Sequence, residues 1–217
     1  MKTDAELKQD VLAELKWEPS VNAARIGVTV SDGVVTLTGH VVSYGEKWHA
    51  ERAAQRVRGV KGLAIEMDVT VPGSAERSDT DIASSAAQAL QWVSIIPKDA
   101  IKIQVEQGWI TLSGEVDWHY ERHTAASTLR YLAGVKGITD DVTLKSRASV
   151  TGVKADIEAA LKRYSDTDRQ DISVDVQGGN VTLTGTVRSW WARELARESA
   201  WSAPGVRHVV DHLNVSF

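Results

Sequence analysis

Apolar residues along the chain follow two rhythms in turn, and the pair of rhythms comes round three times. Leu7, Val11 and Leu15 stand four apart, as do Ile82, Ala86 and Leu90, then Val153, Ile157 and Leu161. That spacing sets one stripe on a helix, and the stripe needs a surface to pack on. Each stripe gives way to strict alternation: Ile26, Val28, Val30; Ile101, Ile103, Val105; Ile172, Val174, Val176. Period two with β-branched side chains predicts a half-buried strand. Asp32-Gly33, Gln107-Gly108 and Gly178-Gly179-Asn180 then reverse the chain into VTLTG or ITLSG, the signature of a tight hairpin.

A second helix follows with small inward positions: Ala50, Ala125 and Ala196, then Ala54, Leu129 and Ala200. Small side chains let a helix lie close on a sheet. A Gly-Val pair (Gly59-Val60, Gly134-Val135, Gly205-Val206) is expected to stop it. Last strands are expected over 63–71, 138–145 and 209–217. Start signals precede the first helices: Thr3 with Glu6 three residues on, and Asp79 or Thr80 in the second copy.

The copies align on Gly39, Gly114 and Gly185, with Gly33, Gly108 and Gly179 six residues earlier and Gly59, Gly134 and Gly205 twenty later. The earlier glycines supply the positive φ of a hairpin, and the aligned ones end the strand where a side chain would crowd a bend. The predicted fold is α+β: three tandem small domains at 1–72, 78–146 and 150–217. Each is α-β-β-α-β, with a three-stranded mixed sheet covered by two helices. The links at 72–78 and 146–150 are polar and turn-like. A unit this small buries only about 60% of its unfolded surface, so neighbouring units are expected to lean on one another.

The ordered set of alternating valines, then GVVTLTGxV, alanines and a closing Gly-Val resembles the BON domain, a family named from bacterial osmotically inducible and nodulation proteins. The likeness covers nearly the whole chain as three tandem domains, with His208 standing where Gly62 and Gly137 occupy the other copies. The resemblance implies attachment to phospholipid or envelope surfaces rather than catalysis, and an address in the periplasm or at the outer membrane. Its motif residues are glycines and aliphatics, which serve backbone geometry.

Composition and charge narrow the classes further. With 42% apolar and 25% charged residues in 217, the chain is globular, not disordered or collagen-like. The net charge of −4 divides as 9 basic and 10 acidic residues over 1–72, 8 and 10 over 73–149, and 8 and 9 over 150–217, giving −1, −2 and −1. No third is basic, so nucleic acid is not an expected partner. The absence of cysteine removes disulfides, thiol catalysis and Cys-type zinc sites. The opening MKTDAELKQDVLAEL lacks the apolar core of a secretory signal, and no stretch approaches the roughly 18 apolar residues of a membrane span. A cytoplasmic address is expected for the chain as it stands, and a periplasmic one if an upstream signal has been removed.

Candidate chemistry is sparse. His119 and His123 stand four apart at a helix start, a spacing that sets two imidazoles on one face, with Glu121 between them. The other copies have no matching pair, and chance surface histidines account for it better. His208 and His212 flank VVD on a strand. The paired glycines sit in a hairpin instead of a phosphate-cradling loop. Asp140, Asp141, Asp166, Asp168 and Asp171 read as loop or strand-edge charges. No Ser-His-Asp order or paired-carboxylate signature is present, so no enzyme activity, cofactor or metal is expected.

Tryptophan is the outlying residue: eight against a single Phe. Trp17 and Trp92 align at the end of the first helix, with Tyr164 one place off. Near the start of the second helix stand Tyr44, then Trp118, His119 and Tyr120, then Trp190 and Trp191, beside Arg122 and Arg193. Such rings either fill joints between neighbouring domains or form a binding surface, where Trp, Tyr and Arg are favoured anchors. The expected function is a non-catalytic binding or adaptor protein. It docks on a protein partner or a phospholipid surface through Tyr44, Trp118, Tyr120, Arg122, Trp190, Trp191 and Arg193. The alternative is an osmotic-stress structural or chaperone-like protein with no discrete ligand.

Overall fold

The fold is taken from a computed structural model that describes residues 2–145, 152–164 and 171–216. The expected link at 146–150, Asp166 and Asp168, and the side chains of Tyr164 and Asp171 lie outside what is described. Module 1 comprises α1 (Asp4–Trp17), β1 (Ile26–Ser31), β2 (Val34–Val41), α2 (Tyr44–Arg56) and β3 (Gly62–Val69). Module 2 comprises α3 (Asp79–Trp92), β4 (Ile101–Glu106), β5 (Trp109–Val116), α4 (His119–Leu129) and β6 (Gly137–Leu144). Module 3 comprises α5 (Val153–Tyr164), β7 (Asp171–Gln177), β8 (Asn180–Val187), α6 (Trp190–Trp201) and β9 (His208–Val215).

Each module has its own three-stranded sheet with the second strand in the middle. β1 runs antiparallel and β3 parallel to β2, and β7 and β9 flank β8 in the same way. This is the α+β repeat that the two apolar rhythms predict. Asp32 and Gly33 have φ of 52° and 81°, as do Gln107 and Gly108, which is the twist-matched turn of a two-residue hairpin. At Gly39 and Gly114 φ is 121° and 129°, and a Cβ would run into the carbonyl oxygen of Arg25 or Ala100. The helical stripes and the sheet meet in buried cores: Leu7, Val11 and Leu15 with Val35 and Leu37 in module 1, Ile82 and Leu90 with Ile110 and Leu112 in module 2, Val153 and Ile157 with Val181 and Leu183 in module 3. Ala50, Ala125 and Ala196 are buried on the inner face of the second helix.

Two local expectations are corrected. The N-cap of α3 is Ser78, answered by Asp81, and not Asp79 or Thr80. Asp79 is instead used at longer range, its carboxylate accepting from the main-chain N–H of Gln107 and Gly108 at 2.8 Å each. Asp4 does the same for Asp32 and Gly33, while Thr3 and Glu6 form the capping box read from the sequence. Nor does the Gly-Val pair stop the second helices. These end at Arg56, Leu129 and Trp201, ahead of Gly59, Gly134 and Gly205. The glycines, at φ of 112°, 86° and 86°, instead shape the turn by which the chain enters its last strand, with Val60, Val135 and Val206 buried behind them.

The chain divides into two compact units, Lys2–Thr143 with modules 1 and 2, and Leu144–Phe217 with module 3.

Candidate binding surface

The corner that carries the aromatic residues is built by the first turn of the second helix in each module. Three positions recur there: Ser43, Trp118 and Ser189 at the cap; Tyr44, His119 and Trp190 next; then Gly45, Tyr120 and Trp191. Ser43 and Ser189 accept from the N–H of Glu46 and Ala192. Trp118 has no cap oxygen, and the buried Glu121 accepts from the N–H of both Asp117 and Trp118 at 2.9 Å. Glu46, also buried, takes the N–H of Val42 and of Asn22 at 2.8 Å each, tying the helix start to the loop before β1. Glu46 and Glu121 were missed in the sequence; the signal was a glutamate three residues past each cap position.

In module 1 this corner is covered by module 2. The ring of Tyr131 lies over Gly45, where a Cβ would come within 2.9 Å of it. The Arg130 guanidinium stacks on Trp48 at 3.9 Å from the ring centroid, with Arg52 at 5.1 Å, and His49 Nε2 is 3.1 Å from the Tyr131 hydroxyl. Tyr44 is half-buried beside Arg130 and the Ile138 backbone, and burial holds its hydroxyl above the usual tyrosine range. Burial likewise raises the Glu51 carboxyl, against the pull of Arg52, Lys47 and Arg130.

Modules 2 and 3 present the same position as open rings: Tyr120 is 52% exposed and Trp191 61%. Trp118 is half-buried, its ring 6.4 Å from that of Tyr120 and inclined by 22°. Trp190 is half-buried with Arg193 at 5.0 Å from its ring. Arg122 and Arg193 also fasten the helix to the last strand. Arg193 pairs with Asp211 at 2.8 Å, and Arg122 lies 3.4 Å from Asp140 and donates to the Val142 carbonyl. Lys47 makes the matching bond to the Met67 carbonyl in module 1. Burial pushes the Asp140 carboxyl up, and Arg122 beside it pulls it back.

The most exposed rings lie elsewhere, since Trp17 and Trp92 at the ends of α1 and α3 are each 82% exposed. The His119 and His123 rings stack at 6.1 Å, and among the described residues no group of three or more His, Asp or Glu could hold a metal ion. His208 and His212 are exposed on β9. Among the described residues no helix is long and apolar enough to cross a membrane.

The BON domain profile matches residues 3–70, 78–146 and 149–216, so the chain belongs to the BON domain family. A relative is osmotically-inducible protein Y of Escherichia coli (strain K12), 28% identical over 148 residues that cover 65% of this chain and 73% of that protein. Among solved structures, the C-terminal domain of CdsD, the structural protein of the type III secretion system of Chlamydia trachomatis, is 15% identical. That alignment covers all of both chains at a TM-score of 0.27. The PrgH periplasmic domain is 13% identical over 89% of this chain and 96% of its own, at 0.24. Overlays that loose carry no argument.

Proposed function

We propose that this chain is a non-catalytic binding protein whose second and third modules dock a protein partner through the corners at Trp118–Tyr120 and Trp190–Trp191. One observation carries the reading. The position that is Gly45 under a neighbouring module's Tyr131 in module 1 is an open ring, Tyr120 or Trp191, in the other two. The corner of module 1 thus receives a protein surface, and its equivalents are furnished with the side chains that anchor such surfaces. Two such corners on one chain let weak contacts combine. The relationship to an osmotically inducible protein supports a stress-related role, and BON membership supports an envelope address over the cytoplasmic one read from the opening residues.

A phospholipid surface is the second docking target. The exposed Trp17, Trp92 and Trp191 favour it, because indole rings settle at membrane–water boundaries. The net charge of −4 weighs against strongly anionic lipid, where each basic residue is worth only about 1 kcal/mol. Crosslinking pull-down and flotation on neutral and anionic vesicles, each with wild type and a Trp118→Ala/Tyr120→Ala/Trp190→Ala/Trp191→Ala variant, test the reading. Partner capture is expected to drop at least tenfold in the variant, with little flotation of either protein. Equal capture by both removes the corner from the function.

A further inference from the structure

Module 2 departs from module 1 where its first helix meets its first strand. Ile26 and Val28 of β1 are 6% and 5% exposed, but their counterparts Ile101 and Ile103 in β4 are only half-buried. The helix differs as well. Lys8 and Leu12 in α1, and Lys154 and Glu158 in α5, correspond to Ala83 and Ala87 in α3. Between α3, the loop at 96–99 and β4 lies a groove of about 840 Å³, with Ala83 and Ala87 in its wall. Leu90, Ile101 and Ile103 line it together with the polar Gln88, Gln91, Lys98 and Asp99, and the exposed Trp92 stands at the helix end.

The groove runs along an unpaired strand edge. β4 is the outer strand of its sheet, and among the described residues it pairs with β5 alone. Glu106 and Trp109 close the two-residue turn, and the Glu115 N–H donates to the Ala100 carbonyl at 3.3 Å. Bonded and non-bonded residues alternate along an antiparallel ladder. Lys102, Gln104 and Glu106 therefore turn their main chain toward β5, and Ile101, Ile103 and Val105 turn theirs to the open edge. Their side chains alternate too: Lys102, Gln104 and Glu106 are exposed, while Ile101, Ile103 and Val105 lean to the helix side. One rim of the groove thus carries three main-chain donors and three acceptors.

We infer that this groove takes an extended polypeptide segment as a fourth strand, with apolar side chains at alternate positions. Main-chain bonds to Ile101, Ile103 and Val105 hold the segment, and every second side chain drops over Ala83 and Ala87, the division of labour in strand addition. A lipid chain would leave those edge groups and the polar Gln88, Gln91, Lys98 and Asp99 of the lining unmatched, which is why a peptide is the better occupant. The groove is separate from the aromatic corner, and each can fail without the other.

The test uses the full chain and a fluorescein-labelled peptide, Lys-Val-Thr-Val-Thr-Val-Thr-Lys. Saturable binding by anisotropy is expected, with amide shifts centred on Ile101, Ile103 and Val105. Affinity should fall at least tenfold when alternate peptide amides are N-methylated. It should fall as far with Ala83→Lys/Ala87→Leu, which installs the side chains that α1 carries, or with Ala87→Leu alone should the pair fold poorly. The quadruple aromatic variant of the previous section should bind the peptide as wild type does. Absence of saturable binding, or binding indifferent to both N-methylation and groove filling, overturns the inference. So does uptake of phosphatidylcholine vesicles that Ala87→Leu abolishes in the absence of peptide binding, because the groove would then serve lipid.

Discussion

Arg130 of module 2 lies over Trp48 of module 1, its guanidinium carbon 3.9 Å from the ring centroid. The pair joins two modules that the backbone connects only through residues 72–78, a stretch with a single short turn at Gly73–Ala75. Tyr131 on Gly45 and His49 beside Tyr131 widen the same contact.

Replacing Trp48 by Ala should therefore uncouple modules 1 and 2. A cation–π contact contributes roughly 0.5–2 kcal/mol, and lost burial adds to it. The expected cost is about 2 kcal/mol in urea unfolding of the Lys2–Thr143 unit, with faster proteolytic cleavage at 72–78. A variant cut no faster than wild type would show that the stack does not hold the joint.

Glu46→Ala should loosen one module locally. The buried carboxylate holds two N–H groups, of Asn22 and Val42, and leaving such donors unmet costs about 2–3 kcal/mol. Module 3 has Ala192 at the matching position, so the fold itself survives without the glutamate. Hydrogen exchange should accelerate at Asn22 and Val42 and stay unchanged in module 3.

Gly114→Ala should be far more damaging than a surface Gly→Ala exchange. Its φ of 129° suits glycine alone, and the new methyl would meet the Ala100 carbonyl. Strain of this kind costs on the order of 3 kcal/mol. In amide spectra the signals of module 2 should broaden or vanish while those of module 3 persist.

The pH dependence of the joint follows from Glu51. Its carboxyl is raised above the ordinary 4.5, mainly by burial. A raised group binds its proton more tightly in the folded state, so its contribution is fully present below 4.5 and is lost as pH rises through the folded value. Glu51→Gln should then have the higher Tm at pH 7, with the gap closing as pH falls below 4.5. A gap that widens on acidification would reverse the assignment.

Much of this was legible residue by residue. The stripe of Leu7, Val11 and Leu15, the alternation of Ile26, Val28 and Val30, and the Thr3–Glu6 box all act over a few residues, and each appears where the pattern sets it. Asp79 was read as a cap because that, too, is a local role. Its bonds go to Gln107 and Gly108, whose distance in sequence hides them.

By itself the sequence determined a threefold α-β-β-α-β chain, since apolar periods and glycine φ are properties of short stretches of backbone. Only the tertiary structure decided which aromatic positions are spent on a joint and which stay open. Nothing in Gly45 says that Tyr131 will cover it, and nothing in Ala83 or Ala87 announces a groove beside an unpaired edge. Exposure is set by what distant segments come to lie over a residue, and that is a property of packing.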